Sequence, residues 1–167
     1  LKLIEIRKQK ITGIALNVKS YNEIVDENER IPYVVVIIDE YADFLLSFKD
    51  KKKRDELEEK ICRIAQISRA LGIRLVLATQ RPEANIVTGL IKANFPARIA
   101  FTVRDHVNST MIIDETGAEN LLGQGDMLFS NDGSSPLRYQ GFFLDNQEIK
   151  EITKLIWDKV KREEPLF

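Results

Sequence analysis

Two carboxylates, Asp39 and Glu40, stand side by side where an apolar run ends, and Thr79 and Gln80 stand where a second apolar run ends. An aspartate at such a point can hold Mg²⁺ on a nucleotide phosphate, and a neighbouring glutamate can activate water. The plainer alternative is a buried strand that ends in a solvated turn, and the acid pair alone does not separate the two. Other chemistries have little to draw on. Cys62 is the only cysteine and His106 the only histidine, which excludes an intrachain disulfide, a cysteine-cluster metal site and a multi-histidine zinc site. Ser109 and Thr110 read as surface hydroxyls, because no partner base is evident.

To present the acid pair, the chain needs a rigid strand behind it. Residues 33–39 (YVVVIID) are apolar without polar alternation, which predicts a strand buried on both faces, as in a parallel sheet between helices. Ligands of open α/β sheets collect beyond the carboxyl ends of such strands. From Asp55 to Leu71, apolar residues recur at Leu57, Ile61, Ile64, Ala65 and Ile67 or Ser68. That is helical spacing, and Gly72 closes it. Residues 73–79 (IRLVLAT) form a second buried strand that ends polar in Thr79, Gln80 and Arg81, followed by Pro82. Strand, helix and strand predict a right-handed βαβ unit, with both polar ends on one sheet edge. A third strand, 97–103, is expected to bring its end to the same neighbourhood.

The flanking segments read more simply. Residues 1–10 are the end of an amphipathic helix broken by Gly13. The basic run 49–54 (KDKKKR) is a solvated loop or helix start, with a phosphate contact as the alternative. Residues 83–94 are a loop and short helix, 104–116 a helix, and 117–125 a tight helix-turn. Residues 126–130 and 137–144 pair as a hairpin around a turn-rich loop. An amphipathic helix over 145–162 should turn Ile149, Ile152, Ile156 and Val160 inward, with Trp157 packed, before a frayed tail EEPLF.

At 167 residues the chain is long enough for one domain with a core. Its 44% hydrophobic and 31% charged content is that of a soluble globular protein, not a disordered one. The longest apolar run is too short to span a bilayer and no signal-peptide pattern opens the chain. A lone cysteine fits a reducing compartment. Net charge is −1, which lends nucleic-acid binding no support, yet leaves room for a ring that touches phosphates with a few residues per subunit. The first residue is Leu1 and the chain opens inside a helix-like pattern, so a fragment is expected.

Four stretches, VVVIIDEYAD, RIAQISRALGIRLVLATQRP, TGLIKANFPARIAFTV and GAENLLGQGDMLF, resemble the FtsK/SpoIIIE family of DNA translocases. LNVKSYNEIV near the start and DNQEIKEITKLI near the end extend the resemblance over nearly the whole chain. It implies a RecA-like P-loop NTPase core: an α/β fold with a mostly parallel sheet flanked by helices, a C-terminal β-hairpin and helix, and here a partial domain. The expected layout is one motor-domain fragment, with helix and loop over 1–30, the Walker B and sensor core over 31–145, and the closing helix and tail over 146–167. By position, Asp39 becomes the Walker B carboxylate holding Mg²⁺ mainly through water. Glu40 becomes the general base, Gln80 the sensor, and Thr79 a neighbour of the nucleotide. Arg69 is the candidate for an arginine acting in trans on a neighbour's site, with Arg98 and Arg74 as rivals. Residues 81–94 would face a central pore, with Lys92 and Arg81 as candidates for DNA contact. The implied partners are ATP with Mg²⁺, double-stranded DNA bound without sequence preference, and five further copies in a homo-hexamer. The implied location is cytoplasmic, without direct membrane contact by this segment, in a full-length protein that an N-terminal region can anchor to the membrane.

One departure cuts against the resemblance. No G-x-x-x-x-G-K-[ST] motif occurs in the sequence; Thr88 to Lys92 (TGLIK) lacks both its spacing and its context. Without that phosphate cradle, this stretch alone is expected not to bind ATP productively. Three functions therefore stand at this level: half of a DNA-translocase motor, a secretion or conjugation coupling ATPase of the same fold, and a P-loop-free binding or assembly domain.

Overall fold

The computed structural model describes residues 2–131 and 133–159. Helix α1 (Lys2–Ile11) ends at Gly13, whose φ of +82° suits a residue without a Cβ. Helix α2 (Val18–Ile24) starts at a reciprocal cap, in which Asn17 Oδ1 accepts from the Ser20 amide at 2.9 Å and Ser20 Oγ accepts from the Asn17 amide at 3.3 Å. The side-chain amide of Asn22 bonds both backbone groups of Ile31, at 2.8 and 2.9 Å, and so fixes the entry to β1 (Val34–Ile38). Helix α3 (Tyr41–Leu46) follows at once. Helix α4 (Lys51–Ser68) begins one residue after Asp50, whose carboxylate accepts from the Lys52 amide at 2.9 Å. The basic run is thus the first turn of a helix. Next come β2 (Ile73–Leu77), α5 (Gly89–Asn94), β3 (Arg98–Ala100), α6 (His106–Ile113), β4 (Asp126–Ser130), β5 (Leu137–Gln140) and α7 (Asn146–Lys159).

Strands β1 and β2 pair in parallel, Val34 opposite Ile73 through Ile38 opposite Leu77. The crossover runs through α3 and α4. Alternate residues of a strand face opposite sides. Val34, Ile38, Ile73 and Leu77 join the two clusters that make up the covered side. One cluster packs Ile4, Ile11, Val18, Tyr21, Ile31 and Leu71 beneath the start of the sheet. The other packs Tyr41, Ala42, Leu45, Ile61, Cys62, Ile86 and Ile91 beneath its polar end. On the opposite side Val35, Ile37 and Val76 are exposed at 59%, 65% and 46%. The expected burial of this strand on both faces is therefore not met: no described element lies over the second face.

The third strand also differs from expectation. β3 is three residues long and pairs antiparallel with β4, which pairs antiparallel with β5. It belongs to a separate three-stranded sheet, so its end does not join the β1–β2 edge. A third cluster, Ala100, Ile113, Ala118 and Leu121, supports that sheet. In the hairpin, buried Asp126 takes Arg138 Nε and Nη2 at 2.9 and 2.6 Å and the Leu122 amide at 2.7 Å. The Arg138 bonds first, then that amide, hold its carboxyl down to about 2. Along α7, Ile149, Ile152 and Ile156 are exposed at 47%, 41% and 57%, and Trp157 at 59%. The expected inward packing of Ile149, Ile152 and Ile156 is therefore not met among the described residues. Val160 and the EEPLF tail fall outside the described residues.

Gly72 sets the path from α4 into β2. Its φ is +70°, and a Cβ there would come within 3.1 Å of Val18 Cγ1 and 3.3 Å of Tyr33 Cδ1. Gly72→Ala should therefore destabilise the fold by roughly 1–2 kcal/mol from backbone conformation alone, measured by urea denaturation.

Candidate functional site

The β1–β2 register determines what meets at the polar edge. Beyond Ile38 opposite Leu77, the Ala78 amide donates to Ile38 O at 2.9 Å and the Tyr41 amide donates to Ala78 O at 2.8 Å. The strands thus stay laddered to their ends, and Glu40 arrives beside Thr79. The Thr79 hydroxyl donates to Glu40 Oε1 at 2.5 Å, and the Gln80 amide donates to Glu40 Oε2 at 2.9 Å. The Arg81 amide donates back to Thr79 Oγ1 at 3.1 Å, which settles that hydroxyl's direction. Both oxygens of Glu40 are therefore held. The Thr79 hydroxyl is the largest influence lowering its pKa, followed by the Gln80 amide, against an opposing effect of partial burial.

The other expected residues divide in two. Asp39 lies exposed at the same edge, and its carboxylate makes no hydrogen bond or ion pair with any described residue. Gln80 is exposed beside it. The Arg81 guanidinium reaches Asp43 at 3.5 Å in an exposed pair, a kind worth about 0–1 kcal/mol. The candidate arginines lie apart from this edge. Arg69 is exposed at the end of α4, and Arg74 Nη1 donates to its carbonyl at 2.9 Å. These two arginines share an open cleft with Asn17, Lys19, Tyr33 and Gln66. Arg98 and Lys92 are both engaged by Asp114, at 2.5 and 2.6 Å. Those contacts hold the Asp114 carboxyl low, Lys92 contributing most. Asp114 occupies a left-handed backbone position, φ 62°, at the end of α6. Nothing in its sequence neighbourhood marks it as the partner of two cations drawn from α5 and β3.

The donor set fits Mg²⁺ held chiefly by phosphates. That ion commonly takes one or two protein carboxylates and completes its shell with phosphate and water oxygens, and Asp39 offers one uncommitted carboxylate. An all-protein metal cage is a poor fit: among the described residues no three His, Cys, Asp or Glu side chains group together.

Two parallel strands joined by a helical crossover, with their polar ends on one edge, form the α/β frame of part of a RecA-like domain. Among solved structures, that of the conjugation coupling protein TcpA of pCW3, in its monomer form with ATPγS, superposes with a TM-score of 0.76 at 30% identity, over 92% of this chain and 46% of that one. In sequence, residues 10–84 match the FtsK/SpoIIIE family. The DNA translocase FtsK of Chlamydia muridarum is 53% identical over 127 residues, which is 75% of this chain and 15% of that protein. DNA translocase FtsK of Sporosarcina ureae is 43% identical over 153 residues, 90% of this chain and 19% of that protein. The chain belongs to the FtsK/SpoIIIE family. It spans less than a fifth of the length of these two relatives.

Thr79→Val removes the largest influence on Glu40, whose pKa should then rise toward the ordinary 4.5. Because the folded-state pKa is depressed, the associated stabilisation is present above the ordinary value and disappears as pH falls through the depressed one. The variant should accordingly be less stable at neutral pH and lose less on acidification. A ¹³C titration of the Glu40 carboxyl, with Thr79→Ser as the retained-hydroxyl control, measures the shift.

Proposed function

We propose that this chain is the Walker B and sensor half of an ATP-driven double-stranded DNA translocase, of the kind that moves chromosomes at division or sporulation or serves a mobile element. The observation that carries this reading is the laddered strand edge. It presents a free Asp39, a two-point-held Glu40 and an exposed Gln80, in a chain 53% identical to a DNA translocase. In this reading Asp39 holds Mg²⁺, Glu40 accepts the proton of the attacking water, and Gln80 contacts the terminal phosphate or that water. When bound, Mg²⁺ would neutralise phosphate charge. Glu40 is kept ionised by its two donors, one on each oxygen, and its remaining lone pairs can accept from water.

Arg69 lies exposed at the end of α4 and suits an arginine reaching into the neighbour's site in a closed homo-hexamer. A trans arginine of this type is worth about 10³–10⁵ in rate. Lys92 and Arg81 would touch DNA phosphates without sequence preference, exchanging Asp114 and Asp43 for them. The likeness to TcpA supports a second reading, a coupling ATPase of conjugation or secretion. Turnover stimulated by duplex DNA favours the translocase; turnover that responds only to a protein partner favours the second.

In the full-length gene product Glu40→Gln should abolish steady-state ATP turnover while nucleotide stays bound, because the metal carboxylate remains and the base is lost. Ordinary turnover in that variant refutes the assignment. Arg69→Ala should lose DNA-stimulated turnover, and mixing it with Glu40→Gln subunits should restore part of it. Intact rings without rescue would transfer the role to Arg98 or Arg74.

A further inference from the structure

Where α4 ends, four consecutive carbonyls each take a donor from a different element. The Arg69 carbonyl accepts from Arg74 Nη1 on β2 at 2.9 Å. The Ala70 carbonyl accepts from the Val18 amide, the first of α2, at 2.8 Å. The Leu71 carbonyl accepts from Arg7 Nη1 on α1 at 2.8 Å. The Gly72 carbonyl accepts from the Val34 amide on β1 at 2.9 Å. The turn that follows Ser68 is thus tied at once to α1, α2, β1 and β2.

Arg7 is the unusual member of this set. It is 4% exposed, on a helix whose other buried residues are Ile4 and Ile11, and it makes no ion pair with any described residue. Burying a charge is costly, and for packing alone an apolar residue of similar volume serves as well or better. What a guanidinium adds is a donor and a positive charge at the C-terminal end of α4, where carbonyls without intrahelical partners carry partial negative charge. The residue this turn presents is Arg69, which is exposed and shares the open cleft with Arg74 and Lys19. A side chain that must meet a group across an interface loses less freedom on arrival when its backbone is already fixed. A misplacement of about 1 Å in a reacting site can cost about 10²-fold in rate.

We propose that Arg7 and Arg74 are positioning residues for Arg69: by holding the carbonyls of Leu71 and Arg69 they fix the end of α4 from which Arg69 reaches the neighbouring subunit's site. This deepens the translocase reading and rests on its assignment of Arg69. It gives Arg74 a role that needs no contact of its own with nucleotide. Helix α1 packs beneath the start of the sheet, at the far end from the polar edge, and by this route it serves the site of the next subunit rather than its own.

The test uses the full-length gene product. Arg7→Met and Arg74→Met should each cut DNA-stimulated ATP turnover roughly tenfold. Mixed with Glu40→Gln subunits, which keep the clamp and Arg69 intact, each should regain part of that turnover. Subunits that combine Arg7→Met with Glu40→Gln should fail to rescue Arg69→Ala subunits. Hydrogen exchange at the Val18 amide should rise in both Met variants, and Arg7→Lys, which keeps a donor and the charge, should restore most of the turnover. A merely structural role raises exchange without rescue in trans, and a direct contact of Arg74 with nucleotide gives rescue without raised exchange; either result overturns the proposal, as does full turnover in both Met variants. Should Arg7→Met subunits not assemble, Arg74→Met decides by the same two readouts. Undiminished DNA-stimulated turnover in Arg69→Ala removes the assignment of Arg69 itself, and this proposal with it.

Discussion

The parallel register of β1 and β2 is the constraint on which the rest depends. Side chains reach the same edge only if the two strands end level, and the bonds from Ala78 to Ile38 and from Tyr41 to Ala78 carry the ladder to that edge. A slip of one residue would turn every side chain to the other face and separate Glu40 from Thr79. The covered face resists such a slip, since Val34 with Ile73 and Ile38 with Leu77 are both tied to packed clusters. The geometry of a few polar atoms is thus set by apolar packing beneath them. Tyr41, Ala42 and Leu45 bury α3 directly under the turn that carries Asp39 and Glu40.

The two acids at this edge are treated differently by their surroundings. Glu40 has both oxygens occupied by donors from the neighbouring strand end, whereas Asp39 has none. One carboxylate is oriented in advance and the other is left for something outside the chain. In the function proposed here, that difference suits one acid to a metal's shell and the other to a fixed proton acceptor.

Much of this edge was legible in the sequence because two short apolar runs, each stopped by polar residues and separated by one helical segment, leave few topologies open. VVVII and IRLVL therefore gave the parallel pair, and with it the meeting of Glu40 with Thr79 and Gln80. Other features depend on contacts that local pattern does not encode. Asp114 gathers Lys92 and Arg98 from separate elements, and Thr88 reaches Glu58 across thirty positions. The strand beginning at Arg98 reads as apolar and extended, but its antiparallel partner is set by the distant hairpin. Composition also records what a face is made to do without recording what meets it. The residues of β1 and α7 have the character of buried elements, yet Val35, Ile37, Ile149 and Ile156 lie open among the described residues.

That open side of β1 carries a consequence for how the polypeptide must be handled. VVVII holds no charge, no proline and no glycine, and among the described residues each strand of the β1–β2 pair keeps one edge unpaired. Such a segment is a template for strand addition by any similar chain that reaches it first. Correct assembly is accordingly a race between sealing this face and self-association, which grows steeper with concentration. Slow, dilute synthesis favours the folded product, and a charged residue placed at Val35 would act as a gatekeeper against aggregation.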